Sequence, residues 1–386
     1  MKKLLALFFI IHFSFTSFSQ PDSCRLRVSL LTCGPGQDLY SIWGHTGVRI
    51  IDSTRQIDTV FNYGMFNDSD PLFYVKFTRG IMMYSVEPQT FEHFMMEYNY
   101  FKRSVTEQVL NISCNEKIKL ITALWNNTKE ENKFYPYHFY ADNCTTRARD
   151  IILNNIDTAI HFKNIRPQPG ISTYRQLIHS YMNSSSQAWN RFGIDVLLGN
   201  HLDEAMNNRQ AMFLPDYLMK GLDSAALDQH PLVSQTNILL PNGQEDNPTF
   251  FTPVFLFSFV LIIMIALSFI KNKTAAKTLN ILDSLFFLLT GLLGLLMLVL
   301  WLVRVDTVCR NNFNLLWALP THTIIAFVIN KQKTWIKYYW LATAIINALL
   351  LIAWKWLPQE MNNSILVIVA ILLFRSIVRF RKIKTA

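Results

Sequence analysis

Apolar and polar positions follow two different patterns along this chain. Up to about residue 249 they alternate in short runs. Segments with period two at 26–31 (LRVSLL), 46–51 (TGVRII) and 58–64 (DTVFNYG) predict β-strands, and 81–86 and 105–110 predict two more. A period near 3.6 predicts helices at 90–102 and 116–126, the second with Ile118, Ile121, Leu124 and Trp125 on one face. A polar turn at 52–56 makes a hairpin centred near residue 54, in which His45 faces residue 62 or 64 and Asn62 lies on the same side of the sheet. These elements give an α+β domain with a mainly antiparallel sheet. Residues 157–227 read as mostly helical, with Trp189, Phe192, Val196 and Leu197 on one amphipathic face that packs on the domain or lies on a bilayer. The polar stretch up to 249, with Pro241, Gly243 and Pro248, reads as a linker.

Beyond it, five stretches at 250–270, 284–303, 313–330, 338–354 and 364–380 are long and apolar enough to cross a bilayer, with Arg375 placed to snorkel near the end of the last. The expected division is therefore a leader at 1–19, a catalytic α+β domain at 20–185, a helical extension and linker at 186–249, and an all-α membrane domain of five helices at 250–386.

Composition sharpens this picture. Of 386 residues, 51% are hydrophobic and 29 are Phe, which excludes disorder and disfavours a purely soluble enzyme. The +9 net charge belongs to the membrane half, where fourteen Lys and Arg face only Asp283, Asp306 and Glu360. Because that excess sits in short loops between apolar runs, nucleic acid is not an expected partner. Lys2 and Lys3, the apolar run at 4–13 and Ser17-Phe18-Ser19 predict a secretory signal peptide cleaved before Gln20. With an exported N-terminus, the lysines at 271, 273, 277, 331, 333 and 337 and the basic tail from Arg379 fall on the cytoplasmic side. Two signals thus agree on a multi-pass protein of the cytoplasmic membrane, with an exported N-terminal domain and a cytoplasmic C-terminus.

The candidate chemistry lies in Tyr-Ala-Asp-Asn-Cys-Thr-Thr-Arg-Ala-Arg-Asp, residues 140–150. Asp142 or Asn143 can cap the helix that follows, which sets Cys144 in its first turn, where orphan N–H groups, the helix dipole and Arg147 favour a thiolate. A cysteine nucleophile needs a neighbouring base and a polar group that fixes the imidazole, and His45, at a Gly-His strand start, and Asn62 supply them. His138 is the competing base; a packing or hydrogen-bonding role is favoured for it. Packing or a disulfide remains the alternative for Cys144 itself, and Cys24, Cys33 and Cys114 can form a disulfide of unread connectivity. There is no His-Glu-x-x-His, Cys-x-x-Cys, phosphate loop or dinucleotide fingerprint, so neither a metal nor a cofactor is expected. Within the bilayer, His322 lies about 14 Å into the third span at ~1.5 Å per residue. It lines a lipid groove with Asp306, Arg310, Asn311 and Asn314 or makes a helix-to-helix hydrogen bond.

A Gly-His before a strand followed by an Asn-Cys at a helix start resembles the circularly permuted papain-like (NlpC-type) fold, also seen in lecithin-retinol acyltransferase. More specifically, CGPGQDLYSIWGHTGVRIID, FNYGMF, YADNCTTRARD and QAMFLPDYL look like the exported domain of the Lnb family of lipoprotein acyltransferases, and five trailing helices match that family's layout. The resemblance implies acyl transfer through a Cys thioester onto the N-terminal cysteine of a bacterial lipoprotein, with lipoproteins and membrane lipid as partners. It puts the nucleophile on Cys144, the base on His45 and the orienting group on Asn62, with Ser41, Trp43, Asn143, Arg147 and Arg149 in support. A membrane-tethered cysteine peptidase or amidase acting on cell-wall peptides is the alternative for the same residues.

Overall fold

The computed structural model describes residues 24–67, 69–167, 172–228 and 230–383; the signal peptide expected at 1–19 lies outside them. Seven strands form one antiparallel sheet: β1 (Leu26–Cys33), β2 (His45–Asp52), β3 (Ile57–Met65), β4 (Met83–Thr90), β5 (Val105–Leu110), β6 (Phe134–Pro136) and β10 (Val233–Leu240), in the order β10-β5-β1-β2-β3-β4-β6. A small second sheet joins β7 (Ile160–His161), β8 (Ala226–Leu227) and β9 (His230–Pro231). From Val28 to Cys33 β1 is buried on both faces, its polar members there being the small Ser29 and Thr32. One face packs Val28, Leu30, Val48, Ile50 and Phe61 against helices, and the other packs Leu31, Cys33 and Val60 against Phe94 and Tyr98.

The helices of this domain are α1 (Phe73–Arg79), α2 (Phe91–Tyr100), α3 (Cys114–Asn127), α4 (Cys144–Leu153), α5 (Tyr174–His179), α6 (Ala188–Leu197), α7 (Asn208–Ala211) and α8 (Pro215–Ser224). Ser113 and Glu116 make a reciprocal capping box at the start of α3, and a Cys24–Cys114 disulfide ties that start to the segment entering β1. The stretch expected to be a linker contains β10, an edge strand. Its outward Ser234, Gln235 and Thr236 give it a polar sequence, while its backbone pairs with β5 from Val105 to Leu110.

The C-terminal region holds α9 (Pro253–Phe269), α10 (Lys273–Val303), α11 (His322–Val328), α12 (Thr334–Ala353) and α13 (Asn363–Lys382). Three of the described helices are long and apolar enough to cross a membrane: α10, α12 with the turn after it, and α13. The helix α9, at 17 residues, is shorter. The third predicted segment is not one continuous helix: it is a 3-10 turn, Phe313–Leu316, and the seven-residue α11, broken at Pro320, which has no N–H to continue a helix. Gly291 and Gly294 of α10 let that broken segment come close, since a Cβ at either would strike the backbone of Thr323 or Ala318. Arg375 does not snorkel. It is fully buried and bidentate to Asp283 at 2.6 and 2.7 Å, with Arg379 on the same carboxylate, because a charge among apolar helices requires a partner.

The two regions are welded together. The apolar face of α6 packs into the membrane region, with Val196, Phe192 and Leu197 beside Trp317 and Phe257. Asn312 and Asn314 donate to the carbonyls of Val196 and Asp195, and Gly199 N–H donates to Val308.

Candidate active site

The β2–β3 register pairs Gly47 with Asn62, and its continuation puts His45 opposite Gly64. His45 and Asn62 are then diagonal neighbours, and His45 Nε2 lies 2.5 Å from Asn62 Oδ1. Gly44, at φ +80°, turns the chain into β2, where a Cβ would come within 2.5 Å of the Cys33 carbonyl. Gly64, at φ +90°, clears the space between the two partners, since a Cβ there would sit 3.4 Å from Cys144 Cβ and 3.8 Å from His45 Cε1.

Cys144 arrives from the other side of this gap on the first residue of α4. Asn143 caps that helix, its Oδ1 accepting from the Thr145 and Thr146 amides, both at 2.9 Å. Its Nδ2 donates to the carbonyls of Phe139 and, 70 residues away in sequence, Phe213. Thr46 and Thr145 hydroxyls meet at 3.0 Å and lock β2 to α4. The cap uses the Thr145 and Thr146 amides, which leaves the Cys144 amide as the helix-start donor able to face an oxyanion.

Burial by itself would raise the Cys144 thiol, but the charge and hydrogen bond of His45, with help from the Thr145 hydroxyl and the Thr46 amide, bring it below the ordinary thiol value. His45 moves the opposite way: burial alone would lower it, and the Cys144 sulfur and Asn62 hold it above the usual imidazole value. With Nε2 taken by Asn62, Nδ1 is the nitrogen left for the sulfur. The two half-buried groups thus shift each other toward thiolate and imidazolium. Cys33 differs, with its thiol pushed up to about 12 by complete burial, and it is inert packing.

The other predicted residues hold the scaffold. Arg147 is bidentate to Asp142 and stacked on Tyr135, and Arg149 spans Asp150 and the Arg209 carbonyl. Ser41 closes the turn before β2 through the Asp38 carbonyl, and Trp43 packs edge-on against Phe139. His138 Nε2 lies 3.0 Å from the Asp306 carbonyl of the membrane region, a hydrogen-bonding role. His322 is remote from this site. It is fully buried, with Nδ1 2.6 Å from the Tyr339 hydroxyl and Nε2 3.2 Å from the Trp317 carbonyl, so it makes a helix-to-helix hydrogen bond and lines no groove. Asn314 is likewise used for docking. Thr46, Thr145 and Gly64 were not singled out from the sequence, although Thr145 stands beside the cysteine in the Asn-Cys-Thr motif. Among the described residues no His, Cys, Asp and Glu cluster suits a metal ion.

Two models of known families match the chain. Residues 15–180 match the Lnb N-terminal periplasmic domain, and residues 245–386 match the Lnb transmembrane domain. No curated protein and no solved structure matches the chain.

Proposed function

Because this chain belongs to the Lnb family through both of its regions, and is thus a lipoprotein-modifying membrane enzyme with an exported N-terminal domain, we propose that it is a thiol acyltransferase acting on lipoprotein N-termini. The observation that carries the reading is the convergence of Cys144, His45 and Asn62, with the sulfur and the imidazole shifted toward the charged pair. Cys144 thiolate attacks the carbonyl carbon of an acyl ester. The ester C–O bond breaks, His45 gives its proton to the departing glycerol oxygen, and an acyl-thioester remains. The free α-amine of the lipoprotein's terminal cysteine then attacks the thioester carbonyl and yields its proton to His45. An amide forms and the thiolate is restored. Asn62 is a positioning residue that fixes the imidazole, and the Cys144 amide faces the oxyanion. Such a scheme suits a permuted papain-like scaffold and requires no metal.

The distribution of lysines supports five crossings and a cytoplasmic C-terminus, with the broken 313–330 segment as the third crossing. The test is mass spectrometry of one lipoprotein's N-terminal peptide from cells with the wild type, without the protein, and with Cys144→Ser. An N-terminal acyl group present only with the wild type is the expected result. Identical lipopeptides in all three, in a strain without a redundant enzyme, would overturn the reading and turn attention to cell-wall peptides.

A further inference from the structure

Between β3 and β4 the chain makes α1, a helix with no buried residue, although it carries Phe73, Tyr74, Val75 and Phe77. Tyr74 is 81% exposed and Phe77 56%, and Leu72, Val75, Phe66 and Met83 beside them are exposed too. A contiguous apolar patch of this kind on an exported domain marks a surface that something apolar covers.

Its position says what. Val305 N–H donates to the Arg79 carbonyl at 3.0 Å, and Arg304 Nη1 donates to the Phe77 carbonyl at 2.8 Å, so the C-terminal end of α1 is bonded to the chain leaving the outer end of α10. Gly80, the left-handed C-cap of α1, packs on the Asp306 carboxylate, where a Cβ would clash. The α10 surface that meets this junction is itself apolar and exposed at Leu302 and Val303, and Val305 extends it. The patch on α1 therefore adjoins the exposed apolar end of a helix long and apolar enough to cross a membrane.

Toward the thiol the aromatic side chains continue. Phe77 and Phe73 rings are 6.3 Å apart, Phe73 and Phe66 6.1 Å, Phe66 and Tyr84 5.2 Å, and Tyr84 and Tyr137 4.2 Å. Tyr84, Tyr137 and Cys144 all border the same core cluster, and Gly64, two residues before Phe66, abuts Cys144.

We propose that α1 is a membrane-dipping helix whose aromatic face sits among the acyl chains of outer-leaflet phospholipid, and that the path Phe77–Phe73–Phe66–Tyr84 leads such a chain to Cys144. The second half rests on the reading of Cys144 as the nucleophile; the first does not. Immersing α1 sets the bilayer surface at the height of the site, and an ester at the glycerol level then reaches a sulfur that no span carries.

The test uses full-length Cys144→Ala protein in phosphatidylethanolamine/phosphatidylglycerol vesicles containing a phosphatidylethanolamine with a diazirine midway along one acyl chain. After photolysis and digestion, adducts are expected on Phe73, Tyr74 and Phe77 and, beyond them, on Phe66 and Tyr84. Adducts confined to the membrane helices would overturn the proposal. With Tyr74→Asp and Phe77→Asp together, labelling of Phe66 and Tyr84 falls about tenfold or more. With Phe77→Leu, which keeps the surface apolar, it is retained. Alkylation of Cys144 by iodoacetamide with the wild-type pH midpoint in the Cys144-containing Asp variant reports that the domain is still folded, and undiminished labelling in a folded variant overturns the path. If α1 is labelled but wild-type Cys144 gains no acyl mass in the same vesicles, membrane contact stands and the path to the sulfur is overturned, while the transferase reading is decided separately by the lipopeptide masses.

Discussion

At the residue scale, the proposed reaction depends on two shifted groups that stabilise each other. Cys144 is lowered and His45 raised, so each shift favours the charged form of its group, thiolate on one side and imidazolium on the other. As pH falls the sulfur is protonated, and as pH rises the imidazole loses the proton it would give a leaving oxygen. The rate of Cys144 alkylation by iodoacetamide should therefore rise with pH through a midpoint below the ordinary thiol value. In His45→Ala the sulfur loses its cation and keeps its burial, so the midpoint moves up; a midpoint that stays put would show that His45 does not hold the thiolate. Acyl transfer by that variant should fall by about 10²–10⁴-fold, the range for a lost general acid–base, measured as lipopeptide formed per unit time. Cys144, His45 and Asn62 were legible because residue type and local element suffice to suggest them. Arg147 and Arg149 were ambiguous, because a guanidinium beside a helix start looks the same in sequence whether it meets a substrate or, as here, Asp142 and Asp150.

At the scale of elements, the cap of α4 decides where the sulfur points. Asn143 makes four hydrogen bonds from one side chain, two to amides of α4 and two to the carbonyls of Phe139 and Phe213. Asn143→Ala should cost about 1–2 kcal/mol of stability as a lost N-cap. It should also slow Cys144 alkylation, because the first turn loses its anchor. Thermal melting in detergent together with the alkylation rate checks this, and a melting shift with an unchanged rate would confine Asn143 to stability. Strands at 26–31, 46–51 and 105–110 were readable from their periodicity. The strand β10 was not, because an edge strand buries little and its outward side chains are those of a loop. Nor was the break in the third membrane segment, since Pro320 inside an apolar run does not reveal that Gly291 and Gly294 of a neighbouring helix fit against it.

Across the whole molecule, the exported domain is held on the helices by a buried polar network around Asp195. Its carboxylate meets Arg175 at 3.1 Å, His179 at 2.7 Å and Asn362 of the membrane region at 3.0 Å, while its backbone carbonyl accepts from Asn314. Asp195→Ala leaves Arg175 buried with half its carboxylate partners and should cost about 3–5 kcal/mol, as breaking a buried pair does. The expected readout is faster limited proteolysis between the domain and α9, with lower transfer from bilayer substrates; unchanged cleavage would show that the network does not hold the joint. His322→Leu should lower the melting temperature of the membrane region through the lost Tyr339 and Trp317 bonds while leaving the iodoacetamide rate of Cys144 as it was.

The sequence alone determined the division into an antiparallel α+β domain and an apolar helical region, because hydrophobic periodicity and run length are local properties that burial imposes on each segment separately. It also nominated Cys144, His45 and Asn62 as the candidate thiol, imidazole and amide, because such chemistry is carried by residue type and by the strand start and helix cap beside them. Tertiary structure decided the remainder. That Gly64 opens the gap, that Phe213 holds the cap of Cys144, that Asp195 fastens the domain to the membrane, and that α1 lies bare at the outer end of α10 all depend on residues far apart in the chain. No local pattern encodes such distances, since each contact exists only once the sheet and the helices have packed.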